Sequence, residues 1–169
     1  KVSRFFLSDK RFEKTKFVND NGSLTPLAYE YRRTGTGPNK GISLTFNEET
    51  KTILVDNNVE MEWTGEFDNQ LFRVDLPRKL ANNDTQFIYN FINSRGEKRQ
   101  YIFEVMETTN LTLPYGQINA IKVRINRNSS SRLTYAWFAP SLNFNLVRLQ
   151  QFKDNKEQGD MQLKSFAYL

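Results

Sequence analysis

Apolar and polar residues alternate with a period of two along most of this chain, the rhythm of strands that bury one face. The clearest stretch runs from Leu111 to Leu149. There Asn119, Ile121, Val123 and Ile125 alternate with Ala120, Lys122 and Arg124, so one face is expected to be apolar and the other charged. The polar run Asn126 to Ser131 supplies residues that accept turn geometry, and Leu133, Tyr135 and Trp137 share one face of the strand that follows. Pro140 ends that strand by removing a ladder donor. Val147 and Leu149 then resume the pattern with Arg148 between them. Three strands in a meander are the least such a sequence can stabilise.

The same rhythm extends upstream. Lys1 to Leu7 reads as a strand, and Arg11 to Val18 as another, anchored by Phe12 and Phe17. Asn19-Asp20-Asn21-Gly22 predicts a tight turn, because Asn and Gly accept positive φ. Leu27, Tyr29 and Tyr31 predict the next strand, and Ile42, Leu44 and Phe46 one more. The Gly-rich loop Thr34 to Gly41 joins two strands, whereas a phosphate loop should lead from strand to helix; a hairpin loop is the expectation. Thr52 to Val55 and Val59 to Trp63 continue the series. In the second of these, alternation accounts for Glu60 and Glu62 as a solvent face.

Asp68 to Ala81 breaks the rhythm. Asp68 is placed to cap a helix, Leu71, Phe72, Val74 and Leu80 form a rough apolar stripe, and Pro77 limits or kinks the helix. Gln86 to Asn93 and Tyr101 to Met106 then form a strand pair, apolar enough on both faces to be a central pair covered on two sides. Asp154 to Asp160 reads as a polar turn before Met161, Leu163 and Ser165. The pattern as a whole predicts a single all-β domain over residues 1–169: mainly an antiparallel meander, as a curved sheet or partly open β-barrel, with one short α-helix near residues 68–81.

Leu113-Pro114-Tyr115-Gly116, Ile118 to Val123, Trp137-Phe138-Ala139-Pro140 and Val147-Arg148 together resemble the bacterial family called domain of unknown function (DUF) 3108. The resemblance extends back through Thr25-Pro26, Tyr29 to Arg33 and Asp68, and forward to Leu163-Lys164-Ser165. It marks Asp68, Pro114, Gly116, Trp137, Pro140 and Arg148 as structural positions and implies export to the Gram-negative periplasm. Leu146 stands where many members have Pro. Lys1 stands where a hairpin and an export signal usually precede, which suggests a processed or excerpted chain.

Composition narrows the chemistry. With no His and no Cys among 169 residues, imidazole and thiolate chemistry have no representatives, and neither a Ser-His-acid arrangement nor a disulfide framework can form. No spacing pairs two carboxylates for hydrolysis, so an enzyme is not expected, and neither is a cofactor or a metal. The charge of +5 is dispersed. Its densest group, Lys10, Arg11, Lys14 and Lys16, is interrupted by Glu13, and Arg32, Arg33 and Lys40 flank one loop, so solvated surface rather than nucleic-acid binding is expected. No apolar run approaches the ~20 residues of a membrane helix.

The 14 Phe, seven Tyr and two Trp leave one question open. Phe87, Tyr89, Phe91, Tyr101, Phe103, Tyr135 and Trp137 are more rings than one core face needs. Lining a cavity, they would make the chain a binding module for a lipid-like or small apolar ligand. Packed on one another, they would be ordinary core. The other expectation is an envelope interaction or scaffold protein whose surface meets a protein or an anionic polysaccharide.

Overall fold

The computed structural model describes residues 9–127 and 131–168. The strand expected over Lys1 to Leu7 and the middle of the turn expected over Asn126 to Ser131 lie outside the described residues. The chain is mostly β, with one short α-helix, and its strands form two sheets rather than one closed barrel. The first sheet is a meander of five strands, β1 (Asp9–Asp20), β2 (Ser23–Gly35), β3 (Lys40–Asn47), β4 (Thr52–Val55) and β5 (Val59–Glu62). The short strand β6 (Phe67–Asp68) leads into helix α1 (Leu71–Ala81). Then come β7 (Gln86–Ile92), β8 (Lys98–Leu113), β9 (Gly116–Arg127), β10 (Arg132–Ala139), β11 (Asn145–Lys153) and β12 (Lys156–Gln162). The larger sheet has the order β12-β11-β10-β9-β8-β7-β6, antiparallel in its β8 to β12 ladder, with β6 and β7 parallel.

These residues group into two compact units: the chain up to Val74 with Asn90–Arg99, and Asp75–Tyr89 with Gln100 onward. In the first unit Tyr29, Ile42, Leu44, Phe46, Ile53, Trp63 and Ile92 make one core, with Phe46 and Trp63 edge to face at 5.4 Å. In the second, Leu113, Ile118, Ala120, Trp137, Ala139, Leu142 and Val147 make another.

Local chemistry explains the turns. Asn21 (φ 50) and Gly22 (φ 90) hold the β1–β2 turn, where the Gly22 N–H donates to Asn19 Oδ1 at 2.8 Å. Gly96 (φ 76) turns β7 into β8, and a Cβ there would meet Ile42 Cδ1 at 2.8 Å. Pro140 begins a 3-10 turn (Pro140–Leu142) as β10 ends.

Five local expectations need correction. Helix α1 passes through Pro77 rather than stopping there. Its buried stripe is Leu71, Phe72, Leu76 and Leu80, while Val74 is 48% exposed, since positions four apart share a helix face and positions two apart do not. The β7–β8 pair is not covered on both sides: Ile88 and Met106 are about half exposed. Strand β9 does not keep one buried face; Ile118 and Ala120 are buried on one parity and Val123 on the other. The change of face falls where a bulge between Val105 and Glu107 shifts the β8 register. Last, most of the segment read as a polar turn is strand β12, which is exposed throughout and so shows no alternation to read.

Candidate functional site

In the first unit, charged groups converge where β1 meets the start of α1. Asp68 is fully buried. Its Oδ1 accepts the backbone N–H groups of Gln70 (2.8 Å) and Leu71 (2.9 Å), the helix cap that its position predicted. Its Oδ2 accepts the Thr15 hydroxyl. Glu13 Oε2 accepts from the Tyr29 hydroxyl and from Asn69 Nδ2, both at 2.9 Å. Burial pushes the Asp68 carboxyl up. For Glu13 the hydrogen bonds from Asn69, Gln70 and Tyr29 outweigh burial and hold its carboxyl down. Burial, with Glu13 beside it, raises the Tyr29 hydroxyl.

Glu66, also buried, accepts from Thr64 N (2.8 Å) and Oγ1 (2.7 Å) and pairs with Lys98 Nζ at 2.8 Å; the hydrogen bonds from Lys98 and Thr64 outweigh burial and hold its carboxyl low. Each of these carboxylates accepts hydrogen bonds from groups of the fold.

The second unit contains its own buried carboxylate, Asp75, which accepts from Tyr89 Oη (2.7 Å) and Arg78 (2.5 Å). Among the described residues no group of three or more acidic, His or Cys side chains is arranged to hold a metal.

The seven candidate rings fall into separate places. Phe87, Tyr89 and Phe103 pack on one another in the second unit with ring centroids 5.3 to 5.7 Å apart, and all three are buried. Phe91 packs on Phe72 in the first unit, 4.8 Å between centroids. Tyr135 and Trp137 lie 6.3 Å apart on β10. Lys122 Nζ stands over both rings, at 4.5 and 5.6 Å, and the Arg148 guanidinium lies 4.7 Å above Trp137. Tyr101 carries the Arg127 guanidinium at 5.0 Å.

The motif positions are structural in detail. Pro114 and Gly116 (φ 129) form the β8–β9 turn, where the Tyr115 N–H donates to Leu163 O at 3.0 Å. Arg148 holds Asp160 on β12 by a two-pronged pair, 3.0 and 2.7 Å, while resting on Trp137. That pair holds the Asp160 carboxyl low and the Arg148 guanidinium high.

A different group of charged residues is set together by strand register. In the strand ladder Arg132 on β10 lies opposite Lys153 on β11, and Lys153 lies opposite Lys156 on β12. Arg127, the last residue of β9, follows next in register after the pair Leu133 and Asn126. Arg132, Lys153 and Lys156 thus lie opposite one another across three neighbouring strands, with Arg127 at the end of β9. Three of them, Arg127, Arg132 and Lys153, line a depression of about 220 Å³ with Thr134, Gln151, Phe152 and Gln158, and no carboxylate is in its wall.

In the sequence the densest basic group, Lys10 to Lys16, was expected to be solvated surface, and nothing in the spacing of Arg127, Arg132, Lys153 and Lys156 singled them out. A second, open groove of about 510 Å³ lies along β8 and β9, lined by Thr108, Asn110, Gln117, Ile118, Asn119, Pro140 and Ser141, with no charged group.

The family model described as "Protein of unknown function (DUF3108)" matches residues 2–163 of the chain. No curated protein matches it. Among solved structures the chain is similar to the crystal structure of a beta-barrel-like protein of domain of unknown function DUF1849 from Brucella abortus. The TM-score is 0.59 at 7% identity, covering 93% of this chain and 75% of that one. That likeness concerns the fold alone.

Proposed function

The chain belongs to the DUF3108 family, and from that premise we propose that it is a non-enzymatic binding module of the bacterial envelope that meets an anionic ligand on the surface of its second unit. The carrying observation is the depression walled by Arg127, Arg132 and Lys153 without a carboxylate. Support for a non-catalytic role comes from the buried acids. Asp68, Glu66 and Asp75 each serve cap, turn or ion pair, and no imidazole or thiol stands near them. The mutual packing of Phe87, Tyr89 and Phe103 supports a filled core at those rings rather than the wall of an apolar cavity. A periplasmic home follows from the family resemblance. No helix among the described residues is long and apolar enough to cross a membrane.

The test is a titration of the chain with an acidic polysaccharide, a neutral polysaccharide of equal length and an uncharged alkyl probe. Binding of the acidic polymer alone, weakening as salt rises, is the expected result because exposed charge is screened by salt. Binding of the alkyl probe, indifferent to salt, would overturn the proposal in favour of an apolar ligand.

A further inference from the structure

Beyond that reading, and on the first unit, we infer that the outer face of the β1–β2 hairpin is a membrane contact surface. Lys10, Lys14, Lys16 and Arg32 meet anionic phospholipid headgroups there, and Phe12 and Val18 enter the apolar boundary beneath them. The first ground is parity. Side chains alternate between the two faces of a strand. The even positions of β1 from Lys10 to Val18 are all exposed, while Glu13, Thr15 and Phe17 between them are half-buried. One face of the strand thus reads Lys-Phe-Lys-Lys-Val. Across the ladder Phe12 lies opposite Arg32, whose guanidinium covers its ring at 4.9 Å, and Lys14 lies opposite Glu30. Glu30 pairs with Arg32 at 2.8 Å, and the other acid on this face of the hairpin, Asp20, is at its turn. Glu60, which the registers place on the same side of the sheet, stands on β5, four strands away. That is about 19 Å at the usual strand spacing, beyond the ~8 Å over which exposed charges act at physiological salt.

The second ground is what stands among the lysines. Among the described residues β1 is an edge strand. Lysine on such a strand ordinarily guards it against pairing with other chains, but a guard needs no aromatic ring or valine beside it. Here Phe12 is 44% and Val18 48% exposed. Leu27, which the register skips between Ala28 and Pro26, is 44% exposed as well. Strand β3 pairs with β2 only from Ala28 to Arg33, so Ser23 to Leu27 run past it with only β1 beside them in the sheet. Val18 and Leu27 are therefore carried on the projecting end of the hairpin. Surfaces that lie on a membrane combine apolar side chains at the headgroup boundary with cations around them, and binding grows with both. A polyanion in solution would answer the lysines and leave Phe12, Val18 and Leu27 in water; an anionic lipid surface answers both.

Co-sedimentation of the whole chain with vesicles tests the assignment. One set mixes phosphatidylglycerol with phosphatidylcholine, the other is phosphatidylcholine alone, and dextran sulfate serves as a polyanion without an apolar phase. Binding is expected to the phosphatidylglycerol vesicles and not to phosphatidylcholine, weakening as salt rises. Each basic residue near an anionic membrane is worth about fivefold in partitioning, so Lys14→Gln/Lys16→Gln should lose about tenfold or more. Both lysines are exposed, so this variant keeps the fold. Phe12→Ser, with the charge unchanged, should weaken vesicle binding and leave any binding of dextran sulfate as it is. Lys156→Gln/Lys164→Gln, which removes equal charge from exposed positions of the second unit, should bind as the parent does. Absence of vesicle binding, equal binding to both lipids, or parent-like binding by Lys14→Gln/Lys16→Gln would overturn the assignment. So would parent-like vesicle binding by Phe12→Ser, which would leave charge alone at work. Vesicle binding lost only in Arg127→Gln/Lys153→Gln would place the contact at the depression of the second unit, upholding the anionic-ligand reading without this one.

Discussion

Two charged regions of this molecule are built to opposite rules. Around Asp68 each carboxylate oxygen has a donor: Oδ1 takes two backbone N–H groups and Oδ2 the Thr15 hydroxyl, with Glu13 nearby fixed by Tyr29 and Asn69. In the row Arg127, Arg132, Lys153 and Lys156 the register sets cation against cation, and the Arg127 Nε is buried with no acceptor. Burying charge is tolerable only when partners compensate it. The first region therefore reads as charge spent on holding the fold. The second sets cations beside one another by register, and the contrast is between charge that caps and pairs and charge that strand pairing leaves adjacent.

If the contrast holds, substitutions in the packed parts should unfold the protein and substitutions in the row should not. The largest effect is expected at Phe91, 1% exposed and packed against Phe72. Phe91→Ala should cost about 3 to 5 kcal/mol, measured by urea unfolding. A cost under about 1 kcal/mol would place that ring beside open space and revive a cavity there. Asp68→Ala comes next. It strips α1 of its cap and leaves two buried amides unsatisfied, for about 2 to 3 kcal/mol. Asp68→Asn should recover most of this, because the amide oxygen still accepts at the cap.

Acid titration sharpens the same comparison. Glu13 and Glu66 have folded-state values below the ordinary carboxylate range. Their stabilisation is complete above that range and is lost as pH falls through the lowered values. Asp68, shifted upward chiefly by burial, has the opposite sign: its contribution is most favourable at low pH and declines as pH rises. The fall in stability on acidification should therefore be shallower in Glu66→Gln and steeper in Asp68→Asn, read from unfolding free energies between about pH 3 and pH 7.

The region around Asp68 was more legible in the sequence than the row, for physical reasons. Asp68 announces itself because a cap lies next to the helix it serves, and the Asn21-Gly22 turn because positive φ demands those residue types. The strands that bury one face were read with their approximate bounds from alternation alone. What escaped depended on partners distant in sequence. The change of buried face along β9 depends on what covers each face, which no local pattern records, and β12 has no buried face to alternate. The seven rings were grouped by parity along separate strands, yet parity does not say which neighbour a ring meets, and Phe91 and Phe103 end in different units. The cation row required two hairpin registers at once, because its members are spread over residues 127 to 156.

The smallest effect discriminates most sharply. Removing a charge from a structural network costs stability, whereas removing one from a row of like charges relieves repulsion. Lys153 has Arg132 opposite on one side and Lys156 on the other, so Lys153→Gln should stabilise the chain by about 0.2 to 1 kcal/mol, the scale of cross-strand charge pairs. The gain should shrink as salt is added, since these side chains are solvent-facing and the Debye length falls to about 8 Å at physiological ionic strength. Thermal unfolding of the parent and Lys153→Gln at low and high chloride reads both the gain and its screening. A Lys153→Gln variant less stable than the parent would mean that Lys153 stabilises the fold where it stands, and would dissolve the contrast between the two regions.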